Sequence, residues 1–145
     1  RGRPLRFWDS SAIVPLIIDE PSRSALLEML ESDPVMVVWW GTSVELVSAV
    51  SRRERDGGLD PAVAASAVDR VRKLERAWHQ VVPSDAVRNR AQRLLRVHTL
   101  RAADSLHLAA ALSVSSDDPA SIRFITLDRR LRDAAQREGL DVSAT

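Results

Sequence analysis

Residues 35–50, VMVVWWGTSVELVSAV, are the stretch that best defines the fold expected for this chain. Residues 35–39 form a continuous apolar, largely β-branched run, which is typical of a strand buried on both faces, as in parallel sheets. After a glycine turn, Thr42 and Glu45 match a T-x-x-E capping box and predict a helix over residues 42–55. The stretch therefore predicts a buried strand that leads directly into a helix.

The same alternation extends in both directions along the chain. Apolar runs predict further strands near residues 5–8, 79–82, 122–126 and 140–142, and periodicity or capping signals predict further helices near residues 11–18, 22–30, 61–77, 85–97, 101–114 and 128–139. This β-α-α-β-α-α order favours an α/β fold with a central, mostly parallel sheet flanked by helices. We expect residues 1–145 to form one domain, with residues 1–4 as a cloning remnant or a disordered start.

Bulk composition narrows the functional classes. The 145 residues are 45% hydrophobic and 28% charged with a formal net charge of +1, so the composition is globular and no global field attracts polyanions. Cysteine is absent, which excludes disulfides, thiolate zinc sites and cysteine nucleophiles. Residues 9–11 interrupt the apolar stretch near the N-terminus, and no stretch approaches the roughly 18 apolar residues of a membrane span. We therefore expect a cytoplasmic protein.

Four acidic residues follow predicted strands or open predicted helices, namely Asp9, Glu45, Asp104 and Asp128. The carboxyl ends of parallel strands meet at one edge of a sheet, where ligands bind. Carboxylates gathered there repel one another unless cations lie between them. Because oxygen ligands without cysteine or clustered histidine select hard cations, the spacing predicts a site for a divalent metal and, with it, a hydrolytic enzyme.

Each of these acids also has a simpler explanation as a helix cap. Asp and Glu are favoured in first helical turns, where they meet unpaired N–H groups and the positive end of the helix dipole. Asp60 and Asp85 have the pattern of ordinary helix-start acids of this kind. Asp104 differs, because it begins the most apolar helix of the chain, where burial of an unpaired carboxylate is costly and a metal ion would compensate.

Four motifs in the right order make the sequence similar to a known family. FWDSSA at 7–12 is an apolar strand that ends in Asp, and TSVEL at 42–46 places a Glu just inside a helix. LRAADSLHLAAA at 100–111 is an Asp-centred apolar helix, and ITLDRRL at 125–131 joins a strand to an acidic helix start. Over residues 7–142 the chain resembles the PIN-domain ribonucleases, and most closely the VapC-type toxins of bacterial toxin–antitoxin pairs.

The resemblance implies a three-layer PIN-like fold and a toxin that cleaves the phosphodiester backbone of RNA with Mg²⁺ or Mn²⁺. By the same resemblance, Asp9, Glu45, Asp104 and Asp128 are the expected catalytic residues, with Asp9 and Asp104 bound directly to metal. Asp128 completes the metal shell directly or through water, and Glu45 acts through water. A cognate antitoxin and a homodimer are the implied protein partners.

Other polar side chains are candidates for supporting roles, each with an ordinary structural alternative. Ser10, Ser43 and Thr126 can hydrogen-bond behind the metal ligands or contact phosphate, although local helix capping explains them at least as well. His107 lies three residues after Asp104 on the same helical face. There we favour a hydrogen-bonded core histidine over an acid or base at the scissile bond.

Arginine supplies nearly all the positive charge, with Lys73 as the sole lysine among 21 basic residues. Arginine forks onto phosphates and stacks on bases, but a coding bias explains the composition at least as well. Candidate substrate contacts follow Glu45 and Asp128: Arg52, Arg53 and Arg55, and Arg129, Arg130 and Arg132. Trp40 can stack on a base or meet a partner, whereas Trp39 is expected in the core.

The alternatives concern the partner surface and the function itself. We expect an apolar groove for an antitoxin helix along Val14 and Ile17, Leu26 and Leu30, and Val47 and Val50. An aspartyl-phosphate phosphatase needs a second Asp where Ser11 stands, and a phospho-receiver domain needs a lysine near the pocket, whereas Lys73 lies mid-helix. A non-catalytic α/β interaction module, with all four acids as helix caps, stays the alternative to the nuclease.

Overall fold

The computed structural model describes residues 4–115 and 117–142. Its strands are β1 (Leu5–Trp8), β2 (Val37–Trp39), β3 (His79–Val81) and β4 (Ile122–Ile125). They form a sheet of order β3-β2-β1-β4 in which all neighbours are parallel, so the expected parallel α/β architecture is confirmed. Residues 1–3, part of the expected artificial or disordered start, lie outside the described residues.

Helices connect the strands in pairs and cover both faces of the sheet. They are α1 (Ser10–Ile17), α2 (Arg23–Ser32), α3 (Thr42–Arg55), α4 (Pro61–Ala77), α5 (Asp85–Val97), α6 (Ala102–Val114) and α7 (Arg129–Arg137), with a short 3₁₀ turn at Pro119–Ser121. Helices α1 to α4 pack on one face and α5 to α7 on the other, which gives the expected three layers. No helix in the described part of the chain is long and apolar enough to cross a lipid bilayer.

Successive strand residues alternate between two cores, because side chains in a strand point to opposite faces. Phe7 lies in the core shared with α5 to α7, and the next residue, Trp8, lies in the core shared with α1 to α4. Both are fully buried. Phe7 also stacks on Phe124 of β4, with ring centroids 5.7 Å apart. This double burial explains why the strands are continuous apolar runs rather than alternating ones.

The order in which successive strands are added to the sheet reverses between β1 and β4. It proceeds from β1 to β2 to β3 on one side and then returns to place β4 on the other side of β1. The pairing of β1 and β4 extends from Leu5 opposite Ile122 to Trp8 opposite Ile125, and the N–H of Asp9 donates to the carbonyl of Ile125 at 3.0 Å. In parallel α/β sheets such a switch point opens a crevice beyond the carboxyl ends of the strands.

The predicted capping box at Thr42 and Glu45 is wrong. The residue that precedes the helix is Gly41, whose backbone is already helical at φ −81° and ψ 0°, so Thr42 lies inside the first turn rather than at its cap. The Thr42 hydroxyl is buried and has no hydrogen-bond partner among the described residues. Gly41 suits its position because a Cβ there would lie 2.8 Å from Nε1 of Trp39.

The predicted last strand is also wrong in extent. Over residues 140–142, only a single bridge between Asp141 and Arg123 extends the sheet. Two hydrogen bonds hold it, from Phe124 N–H to the Asp141 carbonyl at 2.7 Å and from Asp141 N–H to the Ile122 carbonyl at 3.0 Å. The chain leaves α7 through Gly139 at φ +94° and meets the sheet edge only at this point.

Candidate active site

The four predicted acidic residues meet at the carboxyl edge of the sheet, in a cleft of about 420 Å³. Asp9 follows β1, Glu45 lies in the first turn of α3, Asp104 lies in the first turn of α6, and Asp128 joins β4 to α7. The rest of the lining comes mainly from α1 and α3: Ser10, Ser11, Val14, Val44, Ser48, Ala49 and Arg52. Elements far apart in sequence therefore bring the four carboxylates to one place.

Asp9 is the most deeply buried of the four acids, with 3% of its surface exposed. It caps α1 through Oδ2, which accepts hydrogen bonds from the Ser11 N–H at 3.3 Å, the Ser11 hydroxyl, and the Thr126 hydroxyl at 2.8 Å. The Ser11 hydroxyl accepts from the Leu127 N–H at 2.9 Å and so ties α1 to the end of β4. Oδ1 makes no hydrogen bond to the described residues, and Nε2 of His107 lies 3.7 Å from it.

Glu45 is held through both of its carboxylate oxygens. The Ser10 hydroxyl donates to Oε1 at 3.0 Å, and Nε2 of His107 donates to Oε2 at 2.9 Å. Neither bond returns to the start of α3, so helix capping does not account for Glu45. The side chain is 31% exposed and therefore still reaches the cleft.

Asp104 and Asp128 each use one oxygen as a helix cap. The Arg101 N–H donates to Oδ2 of Asp104 at 3.1 Å, and the Leu131 N–H donates to Oδ1 of Asp128 at 3.1 Å. Within the described ranges, the second oxygen of each carboxylate makes no hydrogen bond. Burial, helped by the charges of Asp128 and Asp9 and opposed by the Arg101 N–H, raises the pKa of Asp104 above its usual value.

His107 lies beneath the cleft with 1% of its side chain exposed. It is hydrogen-bonded and buried, as expected for a core histidine, but its partner is the carboxylate of Glu45. Burial lowers the pKa of His107, whereas the bond to Glu45 and the charges of Asp9 and Asp104 outweigh that effect and raise the pKa above its usual value. Nδ1 is buried and has no partner within residues 4–115 and 117–142.

The expected supporting hydroxyls are found at two of three positions. Ser10 binds Glu45, and Thr126 binds Asp9. Ser43 lies elsewhere, along a groove between α3 and α4. Ser11 was not predicted as a supporting residue, although both its N–H and its hydroxyl donate to Asp9. The available signal was its position two residues after the Asp, where a hydroxyl can bond back to the cap.

The arginines expected to contact substrate separate into different environments. Arg52 lines the acidic cleft. Its neighbour Arg53 forms an ion pair with Glu20. Arg132 donates to the Thr126 carbonyl at 3.0 Å, behind the cleft, and Arg130 lines a separate cavity between α5 and α7. Arg52 is thus the member of the set that shares the cleft with the carboxylates.

The two tryptophans and the expected antitoxin groove have different outcomes. Trp39 is buried in the core, and Trp40 is 51% exposed at the end of β2. The expected lining of the antitoxin groove is wrong, because Ile17, Leu26 and Val50 are core residues with 0%, 2% and 1% exposure. These helices bury one apolar face against the sheet, and sequence periodicity alone does not separate that face from the partly buried residues beside it.

The carboxylate oxygens of the cleft are suitable ligands for a hard divalent cation, although they are not close enough together to form a finished binding site. Asp9, Asp104 and Asp128 each present one carboxylate oxygen that accepts no hydrogen bond from the described residues, and Mg²⁺ binds through such oxygens together with water. In the described part of the chain, no three His, Asp or Glu side chains form a group that could hold a metal ion as they stand. Ion binding therefore requires the side chains to rotate toward one another.

Comparisons with known proteins agree with the fold. The sequence profile of the PIN domain matches residues 6–137. The chain is also 30% identical to Ribonuclease VapC45 and to Ribonuclease VapC49, from two strains of Mycobacterium tuberculosis, with 97% of this chain and 95% of each relative covered. On this evidence the chain belongs to the PIN domain family.

Proposed function

We propose that the chain is an Mg²⁺- or Mn²⁺-dependent endoribonuclease toxin that hydrolyses RNA phosphodiester bonds and is inhibited by a cognate antitoxin. Family membership supports the proposal, as does the name ribonuclease carried by both relatives. The observation that carries it is that the two oxygens of each aspartate have different surroundings. Asp9, Asp104 and Asp128 are each anchored through one oxygen and keep the other for a ligand in the same cleft.

In this proposal the three aspartates hold the metal ion, which when bound lowers the pKa of a coordinated water and neutralises charge on the phosphoryl oxygens. Their capping hydrogen bonds hold the carboxylates at the edge of the cleft, and rotation of the side chains brings the second oxygens toward the ion. The Ser11 and Thr126 hydroxyls hold Asp9 from behind, in the role that hydrogen bonds to metal ligands usually have. Burial raises the pKa of Asp104, and the charges of Asp128 and Asp9 raise it further; a cation in the cleft would offset both effects.

Glu45 has a different role in the proposal. Both of its oxygens accept hydrogen bonds from the protein, so it is less available as a direct ligand than the aspartates. A carboxylate fixed in this way can still accept a second hydrogen bond at each oxygen. We therefore assign Glu45 to orientation of the attacking water.

The partners in the proposal are an RNA substrate, a cognate antitoxin and a second copy of the chain. The resemblance to VapC-type toxins supports the two protein partners. The compartment proposed is the cytoplasm, where RNA is met, and residues 1–145 act as one domain. Sedimentation of the purified chain, alone and with the product of a neighbouring small reading frame, tests the homodimer and the antitoxin.

The non-catalytic interaction module has one specific observation in its favour, since Asp9, Asp104 and Asp128 do all accept capping hydrogen bonds. The two functions differ in what the unused oxygens do. In the module they take no ligand, and neither metal nor RNA is bound. In the nuclease they bind a cation.

Cleavage of labelled RNA distinguishes the two functions. The wild type is expected to cleave RNA with Mg²⁺ or Mn²⁺ and to stop when EDTA is added. Asp9→Asn and Asp104→Asn are expected to lose at least about 100-fold in rate, because each removes a metal ligand. Asp85→Asn is the matched control, since Asp85 is also a helix-start acid but is 87% exposed and pairs with Arg88. Absence of cleavage by the wild type, or equal loss in Asp85→Asn, would favour the module.

A further inference from the structure

We propose that Arg52 binds a phosphate of the RNA strand that neighbours the scissile phosphate, an inference that rests on the proposed ribonuclease function. Arg52 supplies the positive charge in a cleft otherwise lined by four carboxylates and by neutral residues. An RNA strand brings further negative charge into this cleft. A fixed cation at its rim offsets that repulsion and directs the strand.

The face of α3 sets the position of Arg52 relative to the acids. Glu45, Ser48, Ala49 and Arg52 follow the i, i+3, i+4, i+7 spacing of one helical face, and all four line the cleft. Seven residues advance the helix by about 10 Å, so Arg52 stands well beyond Glu45 along the cleft. Because the side chains of Ser48 and Ala49 are small, the space between Glu45 and Arg52 stays open. This spacing suits a neighbouring phosphate better than the scissile one.

The guanidinium of Arg52 is free to take a ligand. Within residues 4–115 and 117–142 it makes no hydrogen bond or ion pair, and the residue is exposed. Arg53, the next residue, pairs instead with Glu20. A guanidinium binds phosphate through two parallel N–H donors. This geometry suits arginine to a phosphate contact better than the strongly hydrated point charge of a lysine ammonium.

A simpler role for Arg52 is to complement the negative end of the α3 dipole. Arg55 has that role equally, because it lies in the last turn of the same helix. Unlike Arg52, Arg55 does not line the acidic cleft. Arg55→Ala therefore removes the same charge from the same helix end and is the matched control for Arg52→Ala.

The first experiment measures RNA binding without catalysis. Fluorescence anisotropy follows a labelled oligouridylate with the full chain in EDTA, over a series of salt concentrations. Arg52→Ala is expected to weaken binding about 5- to 10-fold at low salt and to reduce the slope of log K against log salt by about 0.7, whereas Arg55→Ala stays close to the wild type. Arg52→Lys keeps the charge and is expected to restore most of the slope.

The second experiment locates the phosphate. An RNA that the wild type cleaves is prepared with single neutral methylphosphonate linkages at successive positions around the cut. One linkage beside the cut is expected to raise KM for the wild type about as much as Arg52→Ala does, with no further rise when the two changes are combined. The change in kcat should be small.

The outcomes separate this inference from the function on which it rests. If the wild type cleaves RNA but Arg52→Ala and Arg55→Ala bind alike, or if the effects of Arg52→Ala and the linkage simply add, the role of Arg52 is overturned and the nuclease stands. If the wild type neither binds nor cleaves RNA, the proposed function is overturned, and the role of Arg52 with it.

Discussion

The imidazole of His107 on α6 donates from Nε2 to Oε2 of Glu45 on α3 across 2.9 Å. The two residues are 62 positions apart in sequence and belong to opposite layers of the fold. The contact passes beyond the end of the sheet, directly beneath the acidic cleft. It connects a buried side chain to a carboxylate that lines the cleft. In the proposed mechanism His107 is therefore a positioning residue for Glu45.

Substitution of His107 tests this role. His107→Leu keeps an apolar side chain of similar size but removes the donor, and we expect kcat to fall about 10- to 100-fold. His107→Gln can place an amide N–H near the former Nε2, so it should recover most of the lost kcat. RNA cleavage and urea denaturation are measured together. If Gln and Leu are equally impaired while both remain folded, the hydrogen bond to Glu45 is not what matters.

Asp104→Asn should separate stability from activity. Asn keeps the side-chain oxygen that accepts the Arg101 N–H but removes the charge that faces Asp9 and Asp128. Without metal, the free energy of unfolding should fall by no more than about 0.5 kcal/mol, and relief of repulsion can raise it, while cleavage is lost. Urea denaturation in EDTA gives the first quantity. A large loss of stability would instead identify Asp104 as a structural cap.

Glu138, at the end of α7, gives a prediction about pH. Nε2 of His98 lies 2.6 Å from Glu138 and Arg93 lies 2.9 Å from it. Burial opposes these contacts, but together they lower the pKa of Glu138 below its usual 4.5. The folded carboxyl then holds its proton less tightly than the unfolded one. Its stabilising contribution is therefore present above about pH 4.5 and is lost as the pH falls through the lower, folded pKa.

Glu138→Gln should consequently cost about 1 kcal/mol of unfolding free energy near pH 7. The difference from wild type should shrink in an acid buffer below pH 4.5, as the pH falls through the lower, folded pKa of Glu138. Urea midpoints at both pH values measure this, with Asp85→Asn as a control whose ion pair is exposed and contributes little. An equal difference at both pH values would show that Glu138 stabilises by packing rather than by charge.

The sequence was informative wherever local chemistry alone decides the structure. The strand at Val37–Trp39 could be predicted because burial on both faces leaves an unbroken apolar run. The cap at Asp60 followed by Pro61 was equally clear, and Oδ1 of Asp60 does accept from the Val63 N–H at 2.9 Å. The proximity of the four acids could also be predicted, because the carboxyl ends of parallel strands lie at one edge of the sheet.

Features that depend on exact helix starts or on distant partners could not be predicted. Thr42 failed as a cap because Gly41 had already entered the helix, a shift of one residue that the T-x-x-E pattern cannot reveal. The bond between His107 and Glu45 depends on how α6 packs over the sheet. The inward face of an apolar helix is likewise settled by packing, which is why Val50 proved to be core rather than groove.

The central claim is that the three aspartates of the cleft bind a divalent cation, and Mn²⁺ binding followed by electron paramagnetic resonance tests it most directly. The wild type should bind Mn²⁺, and Mg²⁺ should displace it. Asp9→Asn and Asp104→Asn should each weaken binding at least about 10-fold, and Asp85→Asn should leave it unchanged. Equal Mn²⁺ binding by the wild type and both cleft variants, or no binding by the wild type, would contradict the claim.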